Sequence, residues 1–309
     1  MMTTLCFRHS AFAGHVTPAG HPEQVARLAA VDAALAGLDL RFEDAPLAAD
    51  AEVLRCHPQA YLDRLRAAAP TSGFAQVDGD TYLSVGSLEA AFRAVGGACA
   101  AVDAVVAGSA RNAFVAARPP GHHAETETAM GFCLFGTLAI AAKRALDHHG
   151  LSRLAIVDFD VHHGNGSQDL LWHEPRALFC SSHQMPLYPG SGRPREFGAH
   201  GQIVNLPLRD GSGGGSMRAG YEAVIFPRIA AFRPELILVS AGFDAHADDP
   251  LAGLEWQAED FAWLTQRICD LADTFCHGRV VSCLEGGYDL PALTASVAAH
   301  VGVLQERSR

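Results

Sequence analysis

Apolar positions along the chain fall into short runs rich in β-branched and aromatic residues, alternating with longer stretches in which apolar residues recur every three or four positions. The short runs predict strands at residues 4–8, 113–117, 154–159, 177–181, 203–206, 236–241 and 280–284. Several are continuously apolar rather than alternating, as parallel strands covered on both faces should be. The periodic stretches predict helices, among them residues 87–107, 134–148, 216–232 and 258–275. This alternation predicts an α/β fold with an open, mainly parallel sheet flanked by helices. No internal repeat interrupts it. The Gly/Ser run at 211–216 suits a flexible loop and is too short for a domain linker, so residues 1–309 read as one domain.

In open parallel sheets ligands bind beyond the carboxyl ends of the strands, which gives the residues just past each run a special interest. Arg118-Pro-Pro-Gly-His-His123 follows the second run, Asp158-Phe-Asp-Val-His-His-Gly-Asn165 ends and follows the third, and Ser181-Ser182-His183 the fourth. Asp244 and His246 follow the sixth, and Glu285-Gly-Gly-Tyr288 the last. All these polar groups should meet on one rim. Asp158, Asp160 and His162 are spaced by two, so on extended backbone they share one face while Phe159 and Val161 take the other. Two carboxylates and an imidazole at a buried strand end repel and desolvate poorly unless a positive charge sits among them, and a divalent cation answers that need. A pair of surface carboxylates with a hydrogen-bonded histidine is the alternative. With Asp244 from another exit, Asp160 and His162 would make an Asp/His/Asp set, leaving the open position that a catalytic zinc keeps. The rigid turn before His122 and His123 could present both imidazoles to the same rim, although adjacent histidines are also ordinary loop residues.

Composition narrows the setting. Lys and Arg total 23 against 34 Asp and Glu, a net charge of −11 that argues against a nucleic-acid binder. Charged residues are only 18%, below the usual ~25%, which suits an extensively buried interior. The most apolar stretch, residues 129–142, falls short of the ~20 needed to span a bilayer. Eight cysteines lie scattered without a Cys-x-x-Cys pair and read as reduced core residues of a cytoplasmic protein.

Taken together, these segments resemble the zinc-dependent histone deacetylases, specifically the second class, its bacterial deacetylase-like relatives and the acetylpolyamine amidohydrolases, within the arginase/deacetylase superfamily. The matching text is Arg118-Pro-Pro-Gly-His-His-Ala124, Met130-Gly-Phe-Cys-Leu-Phe135, Val157-Asp-Phe-Asp-Val-His-His-Gly-Asn-Gly166, Tyr188-Pro-Gly-Ser-Gly192, Ser240-Ala-Gly-Phe-Asp-Ala-His246 with Asp249-Pro-Leu-Ala-Gly253, and Leu284-Glu-Gly-Gly-Tyr288, with Gly20-His-Pro-Glu23 near the start. The resemblance implies an open sheet of about eight strands and one zinc per chain on Asp160, His162 and Asp244. It implies His122 and His123 as the catalytic pair, oriented by Asp158 and Asn165, and Tyr288 as the group that polarises the scissile carbonyl. Phe132 and Tyr188 would wall the substrate slot, the Gly131 carbonyl would accept the substrate N–H, and Leu251 would stand at the lip. A structural potassium would take the side chains of Asp158, Asp160 and Ser181 and the carbonyls of His162 and Ser182.

His123, paired with neutral Asn165, is then the general base and later acid, and His122, beside Asp158, the imidazolium-like stabiliser. The expected substrate is an N-acylated lysine side chain of a protein or peptide; the alternative is an acetylated polyamine or other small N-acyl amine, with homo-oligomerisation open. An arginase-like two-metal site would need more carboxylates, and a non-catalytic acyl-lysine binder should lack a catalytic side chain. Where relatives commonly carry two asparagines this chain has Gly136 and Thr137, and where they commonly carry an aspartate it has glycines at 213–215. Thr137 and Ser216 are expected to cap the helices that follow.

Overall fold

The structure, a computed structural model, describes residues 3–309. Its strands are β1 (Leu5–Arg8), β2 (Arg41–Asp44), β3 (Phe74–Gln76), β4 (Tyr82–Ser84), β5 (Asn112–Val115), β6 (Leu154–Asp158), β7 (Ala177–Gln184), β8 (Ile203–Leu208), β9 (Ile237–Ala241) and β10 (Val280–Leu284). Eight of them form one sheet in the order β2-β1-β5-β10-β9-β6-β7-β8, every pair parallel. The α/β expectation holds.

Continuous apolar strands serve two cores at once. Ala155 and Val157 of β6, with Ile237 and Val239 of β9, pack on the face covered by helices Ala26–Leu35, Ala258–Phe275 and Leu290–Ser308. Leu154 and Ile156, with Leu236 and Leu238, pack on the opposite face beneath helices Ser87–Val106 and Thr137–Asp147. Burial on both faces leaves the rim at the carboxyl ends of the strands as the place where polar groups collect.

Several expectations need correction. Strand β2 is not predicted by the pattern: all four residues are exposed and three are charged, which suits an edge that must resist further pairing. Nor is the antiparallel hairpin β3–β4, whose connecting turn reaches the rim. The predicted helix at 134–148 spans Thr137–Asp147, because the segment before it forms a loop and the Gly136 N–H donates to His57 Nε2 at 2.9 Å. Thr137 is not its cap: Gly136 holds that position, and the Thr137 hydroxyl turns to the Phe135 carbonyl. The predicted helix at 216–232 begins two residues earlier and carries a π turn at Tyr221–Ile225, which aims the Tyr221 hydroxyl at Ser182 Oγ, 2.7 Å away. Ser216 lies inside it, with Gly213 as the cap. The glycine run is thus partly helical. A Cβ at Gly214 would stand 1.9 Å from Asp260 Oδ1, so close packing explains that glycine.

All eight cysteines are free thiols. Burial pushes Cys6, Cys56 and Cys180 up to about 12, which keeps them inert. Among the described residues no helix is long and apolar enough to cross a membrane.

Helix Ser87–Val106 approaches the segment after β2 so closely that a Cβ on Gly96 would lie 1.9 Å from the Pro46 carbonyl oxygen. Gly96→Ala is expected to cost about 1–3 kcal/mol through overpacking and to lower the thermal midpoint by roughly 2–4 °C for each of those kcal/mol. Gly215→Ala, where nothing lies within 4 Å, is the control. Equal midpoints for the two variants would contradict this packing.

Candidate active site

Strand β6 ends at Asp158, one residue sooner than predicted, yet the alternation expected beyond it survives: Phe159 and Val161 enter the core while Asp160 and His162 turn to the rim. Asp244 arrives from the exit of β9. The Nδ1 atom of His162 lies 3.1 Å from Asp160 Oδ1 and 3.1 Å from Asp244 Oδ2, and the three residues form a buried set that could hold a metal ion. Zinc bonds of about 2.0 Å at tetrahedral angles separate neighbouring ligand atoms by about 3.3 Å, close to both distances from His162 Nδ1, and all three donors lie within 4.8 Å of one another. Burial and the charge of Asp160 lift the Asp244 carboxyl to about 7, because two neighbouring carboxylates are costly without a cation.

Backbone groups fix the set. The N–H groups of His162 and Gly286 donate to the two oxygens of Asp160 at 2.9 Å each, and that of Val161 donates to Asp244 Oδ1 at 2.8 Å. Gly286 must be glycine, since a Cβ there would lie 2.2 Å from Asp244 Oδ2 and 2.6 Å from Asp160 Oδ2.

The two adjacent histidines are both buried at the rim, their rings 4.0 Å apart, with different partners. His122 Nδ1–H donates to Asp158 Oδ2 at 3.0 Å, and His123 Nδ1–H donates to Asn165 Oδ1 at 2.7 Å. Burial opposes charge on His122, but Asp160 and Asp158 overcome it and hold the imidazole well above the usual histidine range. Burial, together with His122 and His162, holds His123 well below that range. One ring is therefore biased toward imidazolium and its neighbour toward the neutral base.

Over these groups opens a cavity of about 260 Å³ lined by Asp80, His123, Gly131, Phe132, His162, Leu187, Tyr188, Leu251 and Tyr288. Tyr288 is buried, and desolvation followed by the charges of Asp244 and Asp160 holds its phenol well above its usual range, so it remains an O–H donor. Gly131 and Phe132 both have left-handed backbone, at φ 54° and 68°. For a phenylalanine that conformation is strained. It is clamped by the β3–β4 turn: the Gly131 N–H donates to Asp80 Oδ1 at 3.1 Å and the Phe132 N–H to Thr81 Oγ1 at 3.0 Å. The Gly131 carbonyl accepts from the Cys133 thiol at 3.2 Å. On the opposite lip, the Asp249 carboxylate accepts from the Leu251 N–H at 3.0 Å and the Tyr288 N–H at 2.7 Å, tying lip to phenol.

Sequence reasoning missed Asp80 and Glu125, and gave Asp249 and Arg118, both inside matching motifs, no role. Arg118 is fully buried and donates to Glu23 Oε2 at 2.7 Å. Burial would raise the Glu23 carboxyl, but Arg118 and His15 hold it well below the usual range. Arg27, also buried, donates to the Gly287 carbonyl at 2.7 Å and to Glu23 at 3.1 Å. The Glu285 carboxylate accepts from the Gly121 and His122 N–H groups at 2.6 and 3.2 Å, which seats the histidine turn against the tyrosine loop. Ser181 pairs in register with Asp158, its Oγ 2.9 Å from His183 Nδ1, while Ser182 Oγ meets Tyr221.

Residues 21–304 match the histone deacetylase domain. The chain is 39% identical over 282 residues to the "Histone deacetylase-like amidohydrolase" of Pseudomonas aeruginosa, covering 90% of this chain and 73% of that one. It is 40% identical over 301 residues to "Histone deacetylase 10, chloroplastic" of Oryza sativa, covering 90% and 68%. The crystal structure of the HDA15 HD domain superposes with a TM-score of 0.94 at 31% identity, covering 100% of this chain and 91% of that one. With that match across most of its length, and an Asp/His/Asp set at the sheet rim, this chain belongs to the histone deacetylase family of zinc-dependent hydrolases.

Proposed function

We propose that the protein is a single-domain deacylase that hydrolyses N-acylated lysine side chains, with Asp160, His162 and Asp244 as the zinc ligands. The observation that carries this reading is the cavity: a sleeve walled by Phe132, Leu187, Tyr188 and Leu251 that leads to His123, His162 and Tyr288. Such a sleeve accepts the methylene stem of an acyl-lysine while its floor holds every group needed for amide hydrolysis. When bound, zinc supplies a Lewis acid that lowers the pKa of water and draws charge from the acyl oxygen. His123 takes the water proton at Nε2, since its Nδ1 is committed to Asn165, and returns it to the leaving amine. His122, paired with Asp158, offers positive charge beside the reacting carbon. The Tyr288 hydroxyl donates to the acyl oxygen as that oxygen becomes anionic. The Gly131 carbonyl is the acceptor we assign to the substrate N–H.

We assign a structural potassium to the hard oxygens of Asp158, Asp160 and Ser181 with the carbonyls of His162 and Ser182. What supports this is that Asp158 and Ser181 are register partners on neighbouring parallel strands.

Asp80 favours a second reading. Asp80 lines the cavity, so a small cationic substrate such as an acetylated polyamine would find there the charge partner that the neutral Leu251 does not offer. A carboxylate about 4 Å from a cation contributes roughly 1–4 kcal/mol between water and protein-surface dielectrics. Under the leading reading, wild-type protein prefers acetyl-lysine peptides. Leu251→Glu then raises kcat/KM for acetylated polyamines relative to peptides by roughly fivefold or more, since 1.4 kcal/mol is tenfold, with the gain shrinking at high salt. A native preference for polyamines that Asp80→Asn abolishes would favour the second reading instead.

Tyr288→Phe is expected to keep fold and zinc while lowering kcat by about 10²–10³-fold, the usual loss for one oxyanion donor. An undiminished kcat would assign that task to another group.

Gly286→Ala is expected to weaken zinc affinity by about 10–100-fold, as changes around metal ligands do, because the new methyl group displaces both ligand carboxylates. Competitive chelator titration followed by metal analysis measures it. Unaltered affinity would remove these carboxylates from the coordination sphere.

A further inference from the structure

We propose that Glu125 is a positioning residue that selects the tautomer of His123 by locking the amide of Asn165. The inference rests on His123 being the proton acceptor of the proposed reaction. A neutral imidazole serves that purpose only in the form with its proton on Nδ1 and the lone pair on Nε2, and Asn165 by itself does not dictate this form. An amide turned one way presents its oxygen to Nδ1 and favours the useful tautomer. Turned the other way, it presents its NH₂ group and favours the useless one.

The surroundings of Asn165 remove that ambiguity. Glu125 Oε1 lies 2.7 Å from the Asn165 Nδ2 atom, and a carboxylate can only accept, so the amide nitrogen must face it. The His123 carbonyl, at 3.5 Å, and the Met130 thioether sulfur, at 3.3 Å, are further acceptors on the same side. The amide oxygen is left to meet His123 Nδ1 at 2.7 Å, which forces the proton onto that nitrogen. Glu125 in turn is held on the element it acts upon. It opens a turn in which its N–H donates to the Thr128 carbonyl at 3.0 Å, and the next residue, Thr126, donates through N–H and hydroxyl to Asp169 Oδ2 at 2.8 and 2.6 Å. Asp169 belongs to the helix Asn165–Leu170 that carries Asn165, so carboxylate and amide move as one body. The half-buried Glu125 does not line the cavity, and its side-chain hydrogen bond goes to Asn165.

The test combines kinetics on zinc-loaded protein with a direct view of the ring. Glu125→Ala should lower kcat between about 10- and 10³-fold, below the ~10⁴ cost of a base held wholly in the wrong tautomer, with KM changed less than about twofold. Glu125→Gln, whose amide oxygen still accepts from Asn165, should recover most of that loss. The decisive variant is Asn165→Asp, which places a carboxylate against Glu125 and has no amide to orient. In that background Glu125→Ala should raise kcat, reversing its sign, because it relieves the repulsion and the new carboxylate accepts from Nδ1 either way. A general loss of rigidity would lower kcat in both backgrounds. Nitrogen NMR of the histidine rings reads the same point without substrate: Nε2 of His123 should be the unprotonated nitrogen in the wild type and lose that state in Glu125→Ala. A protein that hydrolyses no acyl amide would refute the proposed function while leaving the spectrum to decide the tautomer. Glu125→Ala with kcat and ring nitrogens like the wild type, or the same loss in both backgrounds, would overturn the inference.

Discussion

Two carboxylates buried beside one imidazole at the exits of β6 and β9 set the terms for the rest of the site. Asp160 and Asp244 are fully buried, and nothing in their own chemistry makes adjacent negative charges tolerable there. The fold meets this constraint with backbone N–H donors from three loop residues and with glycines at 242 and 286, where any Cβ would strike a carboxylate. The remaining demand for positive charge is what a divalent metal satisfies. The sheet gives the arrangement rigidity, since alternate residues of its strands are locked into two separate cores.

Around that centre, the distribution of charge divides labour between two neighbouring rings of identical chemistry. The charges of Asp160 and Asp158 bias His122 toward the cation, while burial and the neighbouring imidazoles of His122 and His162 bias His123, whose partner Asn165 is a neutral amide, toward the uncharged ring. The separation matters because rings 4.0 Å apart that both carried charge would repel strongly in a buried site. A second layer holds the turns that carry these groups. Glu23 joins Arg118 and Arg27 in a buried ionic cluster, Arg27 reaches the tyrosine loop, and Glu285 receives the histidine turn. Buried charges of this kind are costly unless fully paired. Here they fasten the rim loops to one another and to the helix Ala26–Leu35.

What can be read from the chain follows from how locally each feature is encoded. Strand β10 and the helix Ala258–Phe275 match their apolar runs to the residue, and the two-residue spacing of Asp158, Asp160 and His162 is enough by itself to put all three on one side of extended backbone. Strand β2 is illegible because an exposed edge strand has no apolar pattern to reveal it. The strained backbone of Phe132 is equally invisible: its clamp comes from Thr81, 51 residues away, and no periodicity reports such pairing. For the same reason Asp80 and Asp249 look like ordinary loop acids. Glu125 stands in the open beside the histidine pair, but its meaning depends on Asn165, 40 residues on. The caps expected at Thr137 and Ser216 fail because glycines already hold both cap positions.

The central claim is that one zinc sits between Asp160, His162 and Asp244, and X-ray absorption at the zinc edge of the loaded protein tests it most directly. The account predicts a first shell of nitrogen and oxygen alone at about 2.0–2.2 Å, with the scattering pattern of a single imidazole. A sulfur neighbour at about 2.3 Å, or an imidazole signature that persists unchanged in His162→Ala, would contradict it.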